Sequence, residues 1–468
     1  MKTYKYEIFT KVFEKNIREG LFQPGHKLPS VRELKNQYKT SISTILNGYE
    51  QLVMLGLVES IPKSGYYVST QPGLPFDKSK GTPSPVVRDP LFEYSLAQTT
   101  AVKSVKKSAA FNVTAPGDLL IPQKLILRTM QQVIREKGAS LLRYYPSNGS
   151  AALRSSIVKR AAYYQTRLRP EELIITDGAL QALYIALATV CASGDIVAIE
   201  SPCVFSILEV VRMLNLKVIE IPVDPGNGFD IAVLQRACLS NVIKAVLITP
   251  NFHNPTGTLL ADEQKKALLA VIQRHGIPLI ENDIYGDLNF TGQRPATLGS
   301  FDESGLVMTY SSYAKTLAPG IRLGWLSPGK FMERAEQIKF SLGSTVSPVY
   351  QETVQRLMEN NSYERHVRAF RMQLGKNAYF AANLLKASFP EGTSIWNPSG
   401  GYSIWVKMPE HTDMNYFYSQ CEKVGVKFTP GYTFSLSNRF SYYFRLIFAG
   451  KYTPEKAEAI KLAGQSYR

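Results

Sequence analysis

The chain has 468 residues, enough for two or three domains at roughly 100–200 residues each, with 44% apolar and 20% charged residues, a globular balance with ample material for a large core. Its formal net charge is +16, and its four cysteines (Cys191, Cys203, Cys238, Cys421) lie far apart with no CxxC spacing. A disulfide scaffold and a Cys-rich zinc site are therefore excluded; with charges throughout MKTYKYEIFTKVFEKN and no apolar run near ~20 residues, neither a secreted nor a membrane-spanning chain is expected, no metal is expected, and a reducing, cytoplasmic setting is.

The excess charge is uneven. Residues 1–70 hold ten Lys and Arg against six Asp and Glu, residues 71–110 six against three, and the remainder 38 against 29. The denser N-terminal charge leans toward a polyanion, although lysines on a solvated face give the same count. From Tyr4 to Gly20, Phe9, Phe13 and Ile17 fall four apart with Ile8 and Val12 beside them, one helical face that Gly20 and Pro24-Gly25 stop. Ser30 and Glu33 form a capping box that opens a second short helix. A third helix is predicted from about Ser41 to Leu55, burying Ile42, Ile45, Leu46, Tyr49, Leu52 and Val53 and exposing Ser43, Thr44 and Asn47. Gly56–Ile61, a Pro62–Gly65 turn and Tyr66–Val68 read as a hairpin.

Three short helices and a hairpin make a winged helix-turn-helix, with the third helix in the major groove and the hairpin tip on the phosphate backbone or minor groove. The stretch PGHKLPSVREL, the following Gly-Leu-Val and the Gly-Tyr-Tyr-Val wing resemble the GntR-type DNA-binding domain. By that resemblance Ser30, Arg32, Ser41, Ser43, Thr44 and the Lys63-Ser64-Gly65 turn contact double-stranded operator DNA. A module of solvated charges used for protein contacts is the bland alternative. Residues 71–110, with Pro72, Pro75, Pro83, Pro85 and Pro90 among Lys, Ser, Thr and Gly, read as a partly extended linker.

Beyond Phe111, apolar β-branched runs (173–176, 196–199, 217–221, 245–249, 278–281 and 306–310) alternate with amphipathic stretches such as Ala179–Val190 and Asp262–His275. The expectation is an α/β fold with a mainly parallel sheet and ligands at the carboxyl ends of its strands. Chemistry-bearing residues follow those runs: Asn254-Pro255-Thr256-Gly257, then Asn282-Asp283-Ile284-Tyr285, then Ser312-Tyr313-Ala314-Lys315 and Pro319-Gly320-Ile321-Arg322-Leu323-Gly324. His253, in the first of these loops, reads as a satisfied polar residue rather than a general base. In that order the motifs resemble the fold-type I aminotransferases over nearly all of residues 111–468, with a small subdomain built from the first part of the region and about residues 340–468.

The resemblance implies pyridoxal 5′-phosphate as cofactor. Lys315 matches the lysine that forms a Schiff base with its aldehyde. Arg322 and Ser312 match phosphate ligands, together with the helix opening at Gly178-Ala179-Leu180. Asn254 and Tyr285 match partners of the ring hydroxyl, and Tyr145 a residue near the cofactor of the neighbouring subunit. Arg445 matches the arginine that pairs with a substrate or effector carboxylate; a structural ion pair is its bland alternative.

Three positions depart from the family. The place three residues before Tyr285, usually an aspartate that keeps the pyridine nitrogen protonated, is Asn282, with Asp283 one residue later; strand alternation forbids both from facing the ring, and the sequence leaves open which does. The ring-stacking aromatic is replaced by Val204, with Phe205 adjacent, and Ala314 precedes the lysine where Ser is frequent. Together the two halves resemble the MocR subfamily of transcriptional regulators. That implies a cytoplasmic head-to-tail homodimer sensing an amino compound or the cofactor itself. A working aminotransferase with an accessory DNA-binding module is the alternative, and a regulator without cofactor a third. The expected division is 1–70, 71–110 and 111–468.

Overall fold

The computed structural model describes residues 12–13, 15–17, 20–54, 57–61, 64–68, 85–89, 109–164, 166, 168–290, 294–343, 345–437, 439–450 and 452–465. The chain divides into two compact units, Met1–Ser84 and Pro85–Arg468.

In the first unit, α1 (Val31–Gln37) opens on the predicted capping box: Glu33 N donates to Ser30 Oγ at 3.3 Å and Ser30 N to the Glu33 carboxylate at 2.6 Å. α2 (Ile42–Met54) follows, then an antiparallel hairpin of β1 (Val58–Ile61) and β2 (Gly65–Val68). Phe13, Ile17, Leu28, Leu34, Ile45, Tyr49, Leu52, Leu57, Val58 and Val68 form its core. Ile42 and Val12, expected on buried faces, are 46% and 41% exposed. Ile42 is the first residue of α2, where no preceding turn covers it, and Val12 flanks the Phe13–Ile17 stripe rather than joining it. Tyr66 of the hairpin stacks on Tyr49 of α2 with ring centres 4.0 Å apart, so the wing is packed onto the helix it accompanies. Phe9, Lys63 and the side chains of Ser43, Asn47 and Val53 lie outside the described residues.

The second unit contains β3 (Val87–Arg88), β4 (Ala109–Ala110), β5 (Ile174–Thr176), β6 (Ile196–Ser201), β7 (Lys217–Asp224), β8 (Gly228–Phe229), β9 (Ile243–Ile248), β10 (Leu279–Asn282), β11 (Val307–Ser312) and β12 (Gly324–Ser327). Its main sheet runs β3-β7-β6-β9-β10-β11-β12-β5, with β8 beside β7. β7, β6, β9, β10 and β11 are mutually parallel, whereas β12 is antiparallel to both its neighbours and β3 caps the far edge antiparallel. The parallel strands are Val/Ile-rich because helices bury both faces: one cluster joins β6, β9 and β10 to α3 (Gly178–Val190) and α4 (Phe205–Met213), and another packs the opposite face. Two pieces of the expected linker are strands of this unit. Val87–Arg88 pairs with β7 and Ala109–Ala110 with a later strand, the first in an apolar Val-Val run that can join a sheet edge.

A smaller sheet is built by β13 (Ser394–Ile395), β14 (Ser403–Lys407), β16 (Thr429–Pro430) and β17 (Tyr443–Ile447), while β15 (Val426–Lys427) pairs with β4. The helix α5 (Ser362–Ser388) runs from one apolar cluster into another. Tyr363 and Val367 pack with Leu317, Ile321 and Trp325, and Phe370 onward packs with Phe111, Tyr402 and Phe444.

Candidate functional site

The turn after β11 carries Lys315 and is tied down on every side. Tyr313 N donates to Leu323 O at 2.9 Å, and Tyr363 Oη donates to Thr316 Oγ1 at 2.9 Å. His366 Nε2 lies 2.7 Å from the Thr316 carbonyl, and Tyr402 Oη donates to the Lys315 carbonyl. The lysine backbone is thus fixed by groups from α5 and the small subdomain. Its Nζ donates to the Thr114 carbonyl. Burial, then Arg445, then Arg322 push the ammonium down to about 8, so a substantial fraction of the amine is neutral near physiological pH. That is the state a carbonyl-capturing lysine requires.

Arg445, on β17, is fully buried. Nη1 donates to Asn254 Oδ1 at 2.8 Å, and Nη2 to the Asn112 carbonyl at 2.9 Å and Thr429 Oγ1 at 3.0 Å, while Nε finds no partner among the described residues. No acid among the described residues lies within ion-pair distance of it, and burial pushes its guanidinium down to about 10. Asn254 turns its other end to Tyr285, donating to Oη at 3.2 Å, and burial raises the Tyr285 phenol to about 12. Lys315, Arg445, Asn254 and Tyr285 therefore converge from four segments, and the Asn112–Thr114 stretch touches two of them.

A second cradle lies at the start of α3. Gly178 has φ +72°, and a Cβ there would meet Arg322 Nη2 at 3.2 Å. Arg322 is itself left-handed (φ +45°), donates from Nη2 to the Asp177 carbonyl at 3.1 Å and places Nε 3.4 Å from Asp177 Oδ1. No side chain caps this helix, so its first N–H groups, from Gly178, Ala179 and Leu180, remain available beside a guanidinium. Ser312 donates to Leu323 O at 3.1 Å and accepts from Ala314 N at 3.2 Å. The donor set suits a phosphate dianion at α3, an aldehyde at Lys315 and a carboxylate at the unpaired Arg445. Pyridoxal 5′-phosphate fits the residues present.

Other candidates lie elsewhere. Tyr145 donates to Glu352 at 3.1 Å in a separate groove with Lys137 and Arg356, flanked by Leu142 and Tyr144 at 89% and 94% exposure. Phe205 is half-buried at the start of α4, next to Val204, which packs against the α3 core. Asn282 and Asp283 are both buried. The Asp283 carboxylate is bound by Arg294 and by Asn251 Nδ2 at 3.0 Å. His253 lies 2.8 Å from Thr256 Oγ1 and 3.4 Å from the Glu200 carboxylate, a satisfied polar residue. Sequence reasoning missed Asn112, Thr114 and Thr429, which sit in no motif, and Arg294, whose role needs the fold.

In the first unit, Arg32 projects from α1 into solvent. Ser41 caps α2, accepting from Thr44 N at 3.1 Å with its hydroxyl 2.7 Å from that of Thr44. Ser64 Oγ lies 2.7 Å from Tyr67 Oη at the wing turn, where Gly65 adopts φ +119°. The predicted contact residues that are described thus cluster at helix starts and the hairpin turn, positions that present N–H groups and cations to a phosphate.

Residues 11–68 match the bacterial regulatory proteins of the gntR family and residues 115–461 the family of aminotransferase class I and II. The uncharacterized HTH-type transcriptional regulator YjiR of Escherichia coli (strain K12) is 30% identical over 468 residues, covering 99% of this chain and 98% of that protein. The HTH-type transcriptional regulator NorG of Staphylococcus aureus (strain USA300) is 28% identical over 87% of this chain and 92% of its own length. A kynurenine aminotransferase from Pyrococcus horikoshii shares the fold with a TM-score of 0.71 at 24% identity, over 77% of this chain and 90% of that one. This chain belongs to the HTH-type transcriptional regulators that join a gntR-family DNA-binding module to an aminotransferase class I and II domain.

Proposed function

We propose that the second unit of this regulator is a pyridoxal 5′-phosphate-dependent sensor of a carboxylated amino compound, or of the cofactor itself, and that its state sets how the winged helix occupies operator DNA. Lys315 would hold the cofactor, Arg322 and the Gly178-Ala179-Leu180 turn its phosphate, and Asn254 and Tyr285 its ring hydroxyl. Ser312 shapes this turn through its two backbone bonds. When bound, the cofactor supplies an aldehyde that captures a primary amine. Arg445, a buried cation without an acid partner, would take a ligand carboxylate.

The observation that carries the reading is the shared anchor of the two cations. Lys315 donates to the Thr114 carbonyl and Arg445 to the Asn112 carbonyl. Asn112–Thr114 follows β4 directly, and β4 follows the stretch that leads back to the DNA-binding module. A ligand that engages both cations competes with both carbonyls and so acts on the segment next to that connection. The MocR-type organisation, a cytoplasmic head-to-tail homodimer, belongs to this reading. The exposed Leu142 and Tyr144 beside the Tyr145 groove support a partner surface there. Among the described residues no helix is long and apolar enough to cross a membrane.

Absorbance and borohydride trapping test the cofactor assignment. Wild-type protein is expected to show a Schiff-base band and a trapped adduct, both lost in Lys315→Ala. An unchanged band in that variant overturns it. Operator binding measured with and without α-amino acids tests the sensing assignment: affinity that no amino compound shifts, together with sustained multiple turnover of an amino donor and a keto acid, would make the domain an enzyme instead.

A further inference from the structure

Two adjacent residues at the end of β10 divide the chemistry that one aspartate would otherwise perform. Strand alternation puts Glu281 and Asp283 on one face and Ile280 and Asn282 on the other. The first face is covered by the 294–300 segment: Glu281 accepts from Leu298 N at 2.7 Å, Gly299 N at 3.2 Å and Thr309 Oγ1 at 2.8 Å. Asp283 on that face is 1% exposed, and its two carboxylate oxygens are taken separately by Arg294 and Asn251. Its backbone is pinned as well, with Asp283 N donating to Tyr310 O at 2.9 Å and Ser311 Oγ to Asp283 O at 3.0 Å. Exchanging Asp283 with its neighbour would break all four attachments.

The opposite face belongs to the site. Ile280 packs in the cluster that contains α3 residues and Tyr310, with Val204 against it. That is the side of the sheet from which α3 presents the Gly178 cradle. Asn282 is 6% exposed there; its Oδ1 accepts from Ile284 N at 3.2 Å, and no group among the described residues accepts from its Nδ2. With its oxygen engaged, the amide turns its nitrogen to the open side of the site, and a ring nitrogen with a free lone pair can accept from it.

We propose that Asn282, not Asp283, meets the pyridine nitrogen of the bound cofactor and keeps that nitrogen unprotonated. This rests on the cofactor reading above. An amide can donate to a neutral ring nitrogen but supplies no negative charge to hold a proton on it, whereas a carboxylate at the same place would. Asp283 cannot substitute, because its charge is already matched by Arg294 on the other face. An unprotonated ring is a poor electron sink, so the site captures a primary amine and retains it without efficient conversion to a keto acid. The ligand class is a carboxylated primary amine held reversibly, which is what a sensor needs and a transaminase avoids.

Solid-state nitrogen NMR of the full-length protein loaded with pyridoxal 5′-phosphate, isotope-labelled at the ring nitrogen, tests this directly. Wild type is expected to give a neutral-pyridine shift, Asn282→Ala the same, and Asn282→Asp a move into the pyridinium range. A pyridinium signal in wild type, or a neutral one in Asn282→Asp, overturns the inference while leaving the cofactor reading intact. Absence of a Schiff-base band in the wild-type sample overturns both.

Discussion

The two units solve the problem of placing charge in opposite ways. In the winged-helix unit the groups expected on DNA are exposed and lie at local features: Arg32 on a seven-residue helix, Ser30 and Ser41 as its helix caps, Ser64 at a hairpin turn. In the second unit the cation Arg445 is buried and is positioned by residues far away in the chain, reaching the Asn112 carbonyl and Asn254. Exposed charge can meet a polyanion at little desolvation cost and remains screened by salt. Buried charge without a counter-ion is destabilised until a ligand completes it, and that deficit is what makes occupancy informative to the rest of the chain.

The sharpest way to break this contrast is to attack the buried lattice behind the site. Arg294 pairs with Asp283 and Asp287 and stacks on Tyr164 with its guanidinium 3.9 Å from the ring centre. Burial pushes the Asp287 carboxyl up, yet Arg160 and Arg294 more than reverse this and hold it well below the usual range. Arg294→Ala takes the counter-ion from buried Asp283, while Asp287 keeps Arg160, and is expected to cost about 3–5 kcal/mol in the urea unfolding of the second unit. A loss below ~1 kcal/mol would mean the lattice relaxes or hydrates, and the claim that it fixes Asp283 would fail.

The exposed unit should respond differently. Arg32→Ala is expected to weaken operator binding by about 1–3 kcal/mol and to lower the salt dependence by roughly one ion, with unfolding of both units unchanged. Fluorescence anisotropy over a salt series checks it; equal affinity at every salt concentration would remove Arg32 from the interface.

How much of this was legible depended on the range over which each feature is encoded. The capping box, the hairpin, the parallel strands and the motif residues at strand ends rest on spacings of a few residues, and they appear in the structure where the spacing put them. Lys315, Asn254, Tyr285 and Arg445 were nameable because their motifs are local, although what joins them is not. Thr114 and Asn112 became site residues only when β4 paired with β15 and brought a motif-free loop under two cations. Arg294 reads as an ordinary loop arginine until the fold closes it onto Asp283. β12 went unread because Gly-Trp-Leu-Ser is short and directly follows a chemistry motif, and its antiparallel pairing between β11 and β5 is a property of the closed sheet. The choice between Asn282 and Asp283 needed the partners on each face, which a two-residue alternation alone does not supply.

A titration probes the buried side at smaller scale. With the Lys315 ammonium lowered to about 8 by burial, Arg445 and Arg322, the neutral amine saturates above that pH and falls about tenfold per unit below it. Cofactor incorporation into the apo-protein, followed by stopped-flow absorbance, is expected to slow by about tenfold for each pH unit below 8 and to level off above it. Arg445→Ala removes the second cause of the depression, so the break should move to higher pH. A break that stays in place would show that burial and Arg322 set it without Arg445.

The smallest effect separates structure from recognition within one side chain. Ser30 caps α1 through its hydroxyl and is also an expected DNA contact, so Ser30→Ala confounds two losses: about 1 kcal/mol of module stability and whatever the hydroxyl gives to phosphate. Asp is a good N-cap whose charge suits the helix start, so Ser30→Asp should keep the unfolding midpoint of the module near that of wild type. The same charge beside a phosphate should weaken operator binding by more than Ser30→Ala does. If Ser30→Asp binds as well as wild type while Ser30→Ala loses only stability, Ser30 is a cap and no more. The exposed unit would then keep its helix starts for folding and leave recognition to Arg32, the α2 surface and the wing.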